Sequence, residues 1–97
     1  MQVRWTLLAM RDREAIFDYI EAESPQSAIL VDDRIETQVE VLAEFPEIGR
    51  PGRVEGTREF VILRTPYIAA YSVRAETVWI LRVLHGAQRW PEDLTVQ

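Results

Sequence analysis

The sequence has no cysteine and no lysine, a single histidine and only four glycines. Without cysteine there is neither a disulfide nor a thiolate metal site, a composition at home in a reducing cytoplasm. The lone histidine, His85, is the one side chain that exchanges protons near neutral pH without a perturbed environment. No apolar run is long enough to span a bilayer, so no membrane partner is expected. The start Met1-Gln2-Val3-Arg4-Trp5, with charges from Arg11 onward, lacks the layout of a secretory signal. Repeats, low-complexity tracts and long linkers are missing as well, so residues 1–97 read as a single domain.

What is present is an ordinary globular composition, 47% apolar and 28% charged. All 11 cations are arginines, set against 16 carboxylates for a net charge of −5. A protein built to lie on a phosphate backbone carries a basic excess, so the bulk charge argues against direct nucleic-acid binding. The charge is unevenly spread. Most acids fall between Asp12 and Glu47, while Arg50 to Arg89 carries seven arginines and three acids. A focused cationic face on an acidic molecule is therefore open.

Gln2 to Thr6 alternates around Val3 and Trp5 and predicts a short strand. A helix follows over Leu8 to Glu21, with Ala9, Ile16, Ile20 and the adjacent Tyr19 as its apolar stripe. Ser24-Pro25 marks a second helix start: serine caps free N–H groups, and proline at the first helical position has no N–H to waste. That helix is expected to reach Phe45, with Ala28, Val31, Ile35, Val39 and Leu42 on one face and Asp32, Asp33, Glu36 and Glu40 outside it. Leu30 and Val41 lie on a second face, which could receive an amphipathic partner segment. Pro46 stops the helix. So short a connection makes the helices an antiparallel hairpin.

Pro46 to Thr57 holds three of the four glycines and two of the five prolines and reads as a loop. Three strands follow, Arg58 to Thr65, Tyr67 to Arg74 and Thr77 to His85, the last apolar on both faces and therefore central. Short turns make these neighbours antiparallel. The order is β-α-α-β-β-β: an α+β domain with a helical hairpin packed on a twisted antiparallel sheet.

Several strings in this order resemble the ParE/RelE toxin superfamily, and its ParE branch most. They are Ala9 and Asp12 with Ile16 and Tyr19-Ile20; Pro25 and Ala28; Leu42, Pro46 and Gly49-Arg50; Gly56-Thr57-Arg58-Glu59; Pro66-Tyr67-Ile68 and Tyr71; and Ile80 to Gln88 with Trp90-Pro91. The resemblance implies a type II toxin neutralised by a cognate antitoxin, with no cofactor and no metal. In the ParE branch the implied target is DNA gyrase; in the RelE branch it is mRNA on the ribosome. Two features depart from the pattern. Arg13 stands where relatives have an apolar residue facing inward, and is expected to lay its stem on the core with its guanidinium in water. Ile68 takes the strand position where ribosome-dependent relatives have an arginine, and Glu55 lies near, but out of register with, a glutamate some of them carry.

RNA cleavage without a metal needs a proton acceptor, a proton donor and cations for the charged phosphorane. His85 is the one catalytic candidate, and Arg58, Arg64 and Arg82, placed on strands, are candidates for phosphate or target contact. Each has a plainer reading. His85 can be a hydrogen-bonded residue ending a buried strand. Arg82, between Ile80 and Leu84, demands a partner if buried, and Glu59 is one option. Tyr67 and Tyr71 share a face with Val73 and read as core. Trp90 either pins the C-terminal tail or serves as a recognition element.

Overall fold

A computed structural model describes residues 1–92 and Leu94. Strand β1 (Gln2–Trp5) leads into helices α1 (Leu7–Glu21) and α2 (Pro25–Val39). A 3-10 turn (Glu40–Ala43) and four more strands follow: β2 (Arg50–Pro51), β3 (Arg58–Val61), β4 (Tyr67–Arg74) and β5 (Thr77–His85). The sheet order is β1-β5-β4-β3-β2. The two helices cover one face, giving the expected α+β layer pair.

Local chemistry accounts for the helix starts. The Thr6 side chain accepts from Ala9 N–H (3.1 Å) and donates to the Leu81 carbonyl (2.9 Å), capping α1 and tying it to β5. Ser24 caps α2 by accepting from Ser27 N–H (3.2 Å), with Pro25 at the first position. Ala28, Ile35, Val39 and Leu42 are buried on the expected face of the second helical segment, the last three against Tyr67, Ala69, Tyr71, Val78, Ile80 and Val83 of the sheet. Tyr19 does not join them; it is 79% exposed. α2 also ends earlier than the periodicity suggests, tightening into the 3-10 turn, a common way for a helix to finish. Phe45 is left exposed just before Pro46.

The sheet is mixed and five-stranded, which corrects the expected four-stranded antiparallel one in two features. β1 runs parallel to β5, pairing Gln2 with Thr77 through Trp5 with Ile80, while the other pairs are antiparallel. The short-turn rule orients only β3, β4 and β5. β1 reaches its neighbour through the whole helical hairpin, a connection long enough for a parallel pair. The second feature is β2, a strand within the Pro/Gly-rich loop, tolerable because it is an edge and Pro51 needs no N–H partner there. Between Ala70↔Arg82 and Tyr71↔Ile80 the β4–β5 register shifts, leaving Leu81 as an extra residue on β5.

β4 and β5 are joined by two residues, Ala75 (φ 49°) and Glu76 (φ 58°), both in the left-handed region. Such a turn matches the strand twist but favours Asn-Gly. The double substitution Ala75→Asn, Glu76→Gly is expected to stabilise the domain by about 1 kcal/mol, relieving left-handed strain of roughly 1–2 kcal/mol per residue at some cost in unfolded-chain entropy. Thermal melting checks it: a rise of about 4–8 °C is expected, and a fall would contradict the turn assignment.

Candidate functional site

β1 stops at Trp5, so β5 beyond Ile80 has no strand on that side. Its outward-facing backbone groups are met by side chains instead. Thr6 takes the Leu81 carbonyl and Asp12 accepts from Val83 N–H (2.9 Å). The same Asp12 carboxylate grips Arg82 in a two-point fork, Nε at 2.7 Å and Nη2 at 3.0 Å. This pairing holds the Arg82 guanidinium charged more firmly than usual, outweighing the opposing effect of burial. Arg82 is thus the expected structural ion pair, but its partner is Asp12 and not Glu59. Asp12 lies on the stripe of Ala9, Ile16 and Ile20. A carboxylate among apolar positions was the signal available in the sequence for this role.

Glu59 is buried on β3, two strands away from Arg82 across Ala70, and accepts from Arg50 (3.0 Å) and from Arg53 N–H (2.9 Å). Arg58, at the start of β3, donates to the carbonyls of Glu47 (3.2 Å) and Gly49 (2.8 Å), so its guanidinium anchors the preceding loop. Arg64 is not on a strand. It occupies the turn between β3 and β4 at φ 64°, exposed, with its carbonyl receiving Arg34 Nη1 (3.1 Å). Arg13 spans α1 and α2, donating to Asp32 (3.0 and 2.9 Å) and Glu36 (3.4 Å) and lying over the Trp5 ring at 4.7 Å. Burial works against its charge, and the two carboxylates more than offset that. It is tied down by partners and does not simply reach into water.

His85 ends β5. Its Nδ1 accepts from Ala87 N–H (3.0 Å), its ring meets Tyr67 edge-on at 5.7 Å, and its carbonyl accepts from Trp90 Nε1 (3.3 Å). Trp90 in turn stacks under Arg53, 4.0 Å from the ring centroid. His85 and Trp90 are therefore brought together, and Arg58 is held elsewhere, at the other end of β3. A cleft of about 330 Å³ between α1 and the ends of β4 and β5 is lined by Asp12, Tyr19, Tyr67, His85 and Gln88 among others. Burial, and then the neighbouring Tyr19, raise the Tyr67 phenol above its ordinary pKa. Tyr71 is fully buried, as expected of core, but Val73 is exposed. Among the described residues no cluster of histidine and carboxylate side chains is placed to hold a metal ion, and no helix is long and apolar enough to cross a membrane.

This fold has relatives. Residues 3–90 match the family described as the ParE toxin of the type II toxin–antitoxin system parDE. The chain is 46% identical over 93 residues to the protein Y4kP of Sinorhizobium fredii, covering 96% of each. It is 40% identical over 87 residues to Toxin RelE2 of Caulobacter vibrioides, covering 90% of this chain and 97% of that one. Among solved structures, one of the chromosomal ParDE system from P. aeruginosa superposes with a TM-score of 0.80 at 32% identity, covering 88% of this chain and 95% of that chain. The chain belongs to the ParE/RelE family, the toxins of type II toxin–antitoxin systems.

Proposed function

We propose that this toxin acts in the cytoplasm by binding and poisoning DNA gyrase, without cutting a substrate itself, and that a cognate antitoxin silences it by direct contact. The observation that carries this reading is the state of the two candidate arginines that lie on strands, the third, Arg64, being exposed on its turn away from them. Arg82 is forked onto Asp12, and Arg58 is spent on two backbone carbonyls. A nuclease needs such charges free to face a phosphorane. His85 has one ring nitrogen engaged by Ala87 N–H. The exposed surface, by contrast, is rich in apolar side chains suited to protein contact. Purified toxin is expected to inhibit gyrase supercoiling or to trap cleaved DNA on the enzyme. Unchanged supercoiling at saturating toxin would remove the gyrase reading.

One observation favours the RelE-type alternative, ribosome-dependent cleavage of mRNA. The cleft gathers His85, Tyr67 and Tyr19, three groups able to donate or accept a proton. On that reading His85→Ala abolishes growth arrest on induction; full toxicity of the variant would exclude it.

A further inference from the structure

Apolar side chains are exposed along α2, the segment that follows it and the outer edge of β3. These are Leu30, Val41, Phe45, Ile48, Val61 and Leu63, with Phe45 55% and Leu63 67% exposed. Two side-chain contacts tie α2 to the end of β3 and the turn after it. The Gln38 side-chain amide pairs with both backbone groups of Leu63, donating to its carbonyl (2.9 Å) and accepting from its N–H (2.7 Å). One step along, Arg34 holds the Arg64 carbonyl (3.1 Å). Ile48 and Val61 line one shallow hollow beside Arg50.

The β3 edge is also open at one rung. Ile62 N–H goes to the Tyr67 carbonyl, so the backbone groups of Val61 point away from β4. β2 reaches only as far as Glu59, and Ile48, which would otherwise face Val61, sends its N–H back to Phe45. On the other side Gln38 has already closed Leu63. Among the described residues nothing meets Val61, whereas the opposite side of the sheet is sealed along β5 by Thr6 and Asp12. An unpaired rung beside exposed apolar side chains is what an added extended segment uses.

Charge selects the occupant. The molecule carries a net −5, yet two cations, Arg34 and Arg64, stand at this face, while Arg50 at its border is already paired with Glu59 (3.0 Å). Among the described residues Arg34 and Arg64 have no carboxylate within ion-pair distance, in contrast to Arg13 and Arg82. Arg64 holds a positive φ that glycine would adopt more easily, so its side chain is kept at a conformational cost. We infer that this face receives an antitoxin segment that is apolar in its centre, carries carboxylates at its flanks and is extended where it passes Val61. The inference rests on the toxin reading above and adds which surface is masked and by what chemistry.

The test uses the full chain and, as probe, the product of the reading frame adjoining its gene, with the dissociation constant measured for each variant. Phe45→Asp combined with Leu63→Asp is expected to weaken binding at least 100-fold. Arg64→Glu, on an exposed turn where folding is not at risk, is expected to weaken it about tenfold, with a loss of salt dependence. Arg11→Glu, an equal charge reversal on exposed α1, is expected to leave it unchanged, and circular dichroism confirms that each variant is folded. If wild type binds and both test variants bind equally well, this surface is wrong while the toxin reading stands. If wild type does not bind the probe, both fall. If the variants alter only self-association of the chain in sedimentation, the face belongs to a second copy and the proposal is overturned.

Discussion

Asp12→Ala is expected to destabilise the domain by about 3 kcal/mol, enough to lower its melting temperature by more than 10 °C. Two losses combine. Arg82 keeps its charge but loses its only carboxylate partner among the described residues, and its side chain is 24% exposed against 15% for Asp12. Breaking a fully buried pair costs roughly 3–5 kcal/mol; partial access to water lowers that figure here. Val83 N–H then stands unpaired on a strand edge under α1, adding about 1 kcal/mol or more. Asp12→Asn retains an oxygen acceptor for Val83 and should cost about half as much. Urea unfolding of the three proteins measures this directly. If Asp12→Ala melted within about 2 °C of wild type, the fork would contribute nothing to folding, and Arg82 would be available as a functional cation after all.

The contrast between Asp12 and Glu59 shows where a sequence speaks and where it falls silent. Everything encoded within a few residues was legible. Ser24-Pro25 places a helix start, the spacing of Ala28, Ile35, Val39 and Leu42 places a buried face, and the doubly apolar run from Val78 to Leu84 places a central strand. Pairing over distance was not. Arg82 meets an acid 70 positions away, and nothing local distinguishes Asp12 from Glu59 as its partner. β1 takes its direction from a connection that passes through both helices. The extra residue at Leu81 follows from register, which no single strand carries in its own pattern. The candidate site suffers most, because its arginines are defined by what they touch. Arg58 and Arg82 look alike in sequence to Arg64, yet the first two are anchored and the third faces solvent from a turn.

Gly49→Ala is expected to cost the fold about 3 kcal/mol, the upper end of the range for overpacked core sites. A methyl group there would lie 2.5 Å from the Tyr71 hydroxyl oxygen and 2.6 Å from its Cε1. The ring cannot withdraw. It is fully buried, its hydroxyl donates to the Pro46 carbonyl (2.7 Å), and it accepts from Gly49 N–H (2.9 Å). Tyr71→Phe removes both bonds and leaves two backbone groups unpaired, about 2 kcal/mol. It does not rescue Gly49→Ala, because the ring stays in place. Tyr71→Leu does so in part, making the double variant less damaged than the sum of the singles. Burial raises the Tyr71 phenol above its ordinary value near 10, outweighing the opposing effects of Gly49 N–H and Arg58. Its neutral form is thus the folded one: the associated stability is intact below about pH 10 and is lost as pH rises further. Tyr71→Phe should lessen that alkaline loss, leaving the part due to Tyr67. Because Gly49 separates Ile48 from Arg50, a displaced loop also moves two residues of the proposed antitoxin face. Gly49→Ala should therefore weaken antitoxin binding as well as folding, and normal melting of this variant would show that the clasp around Tyr71 is not rigid.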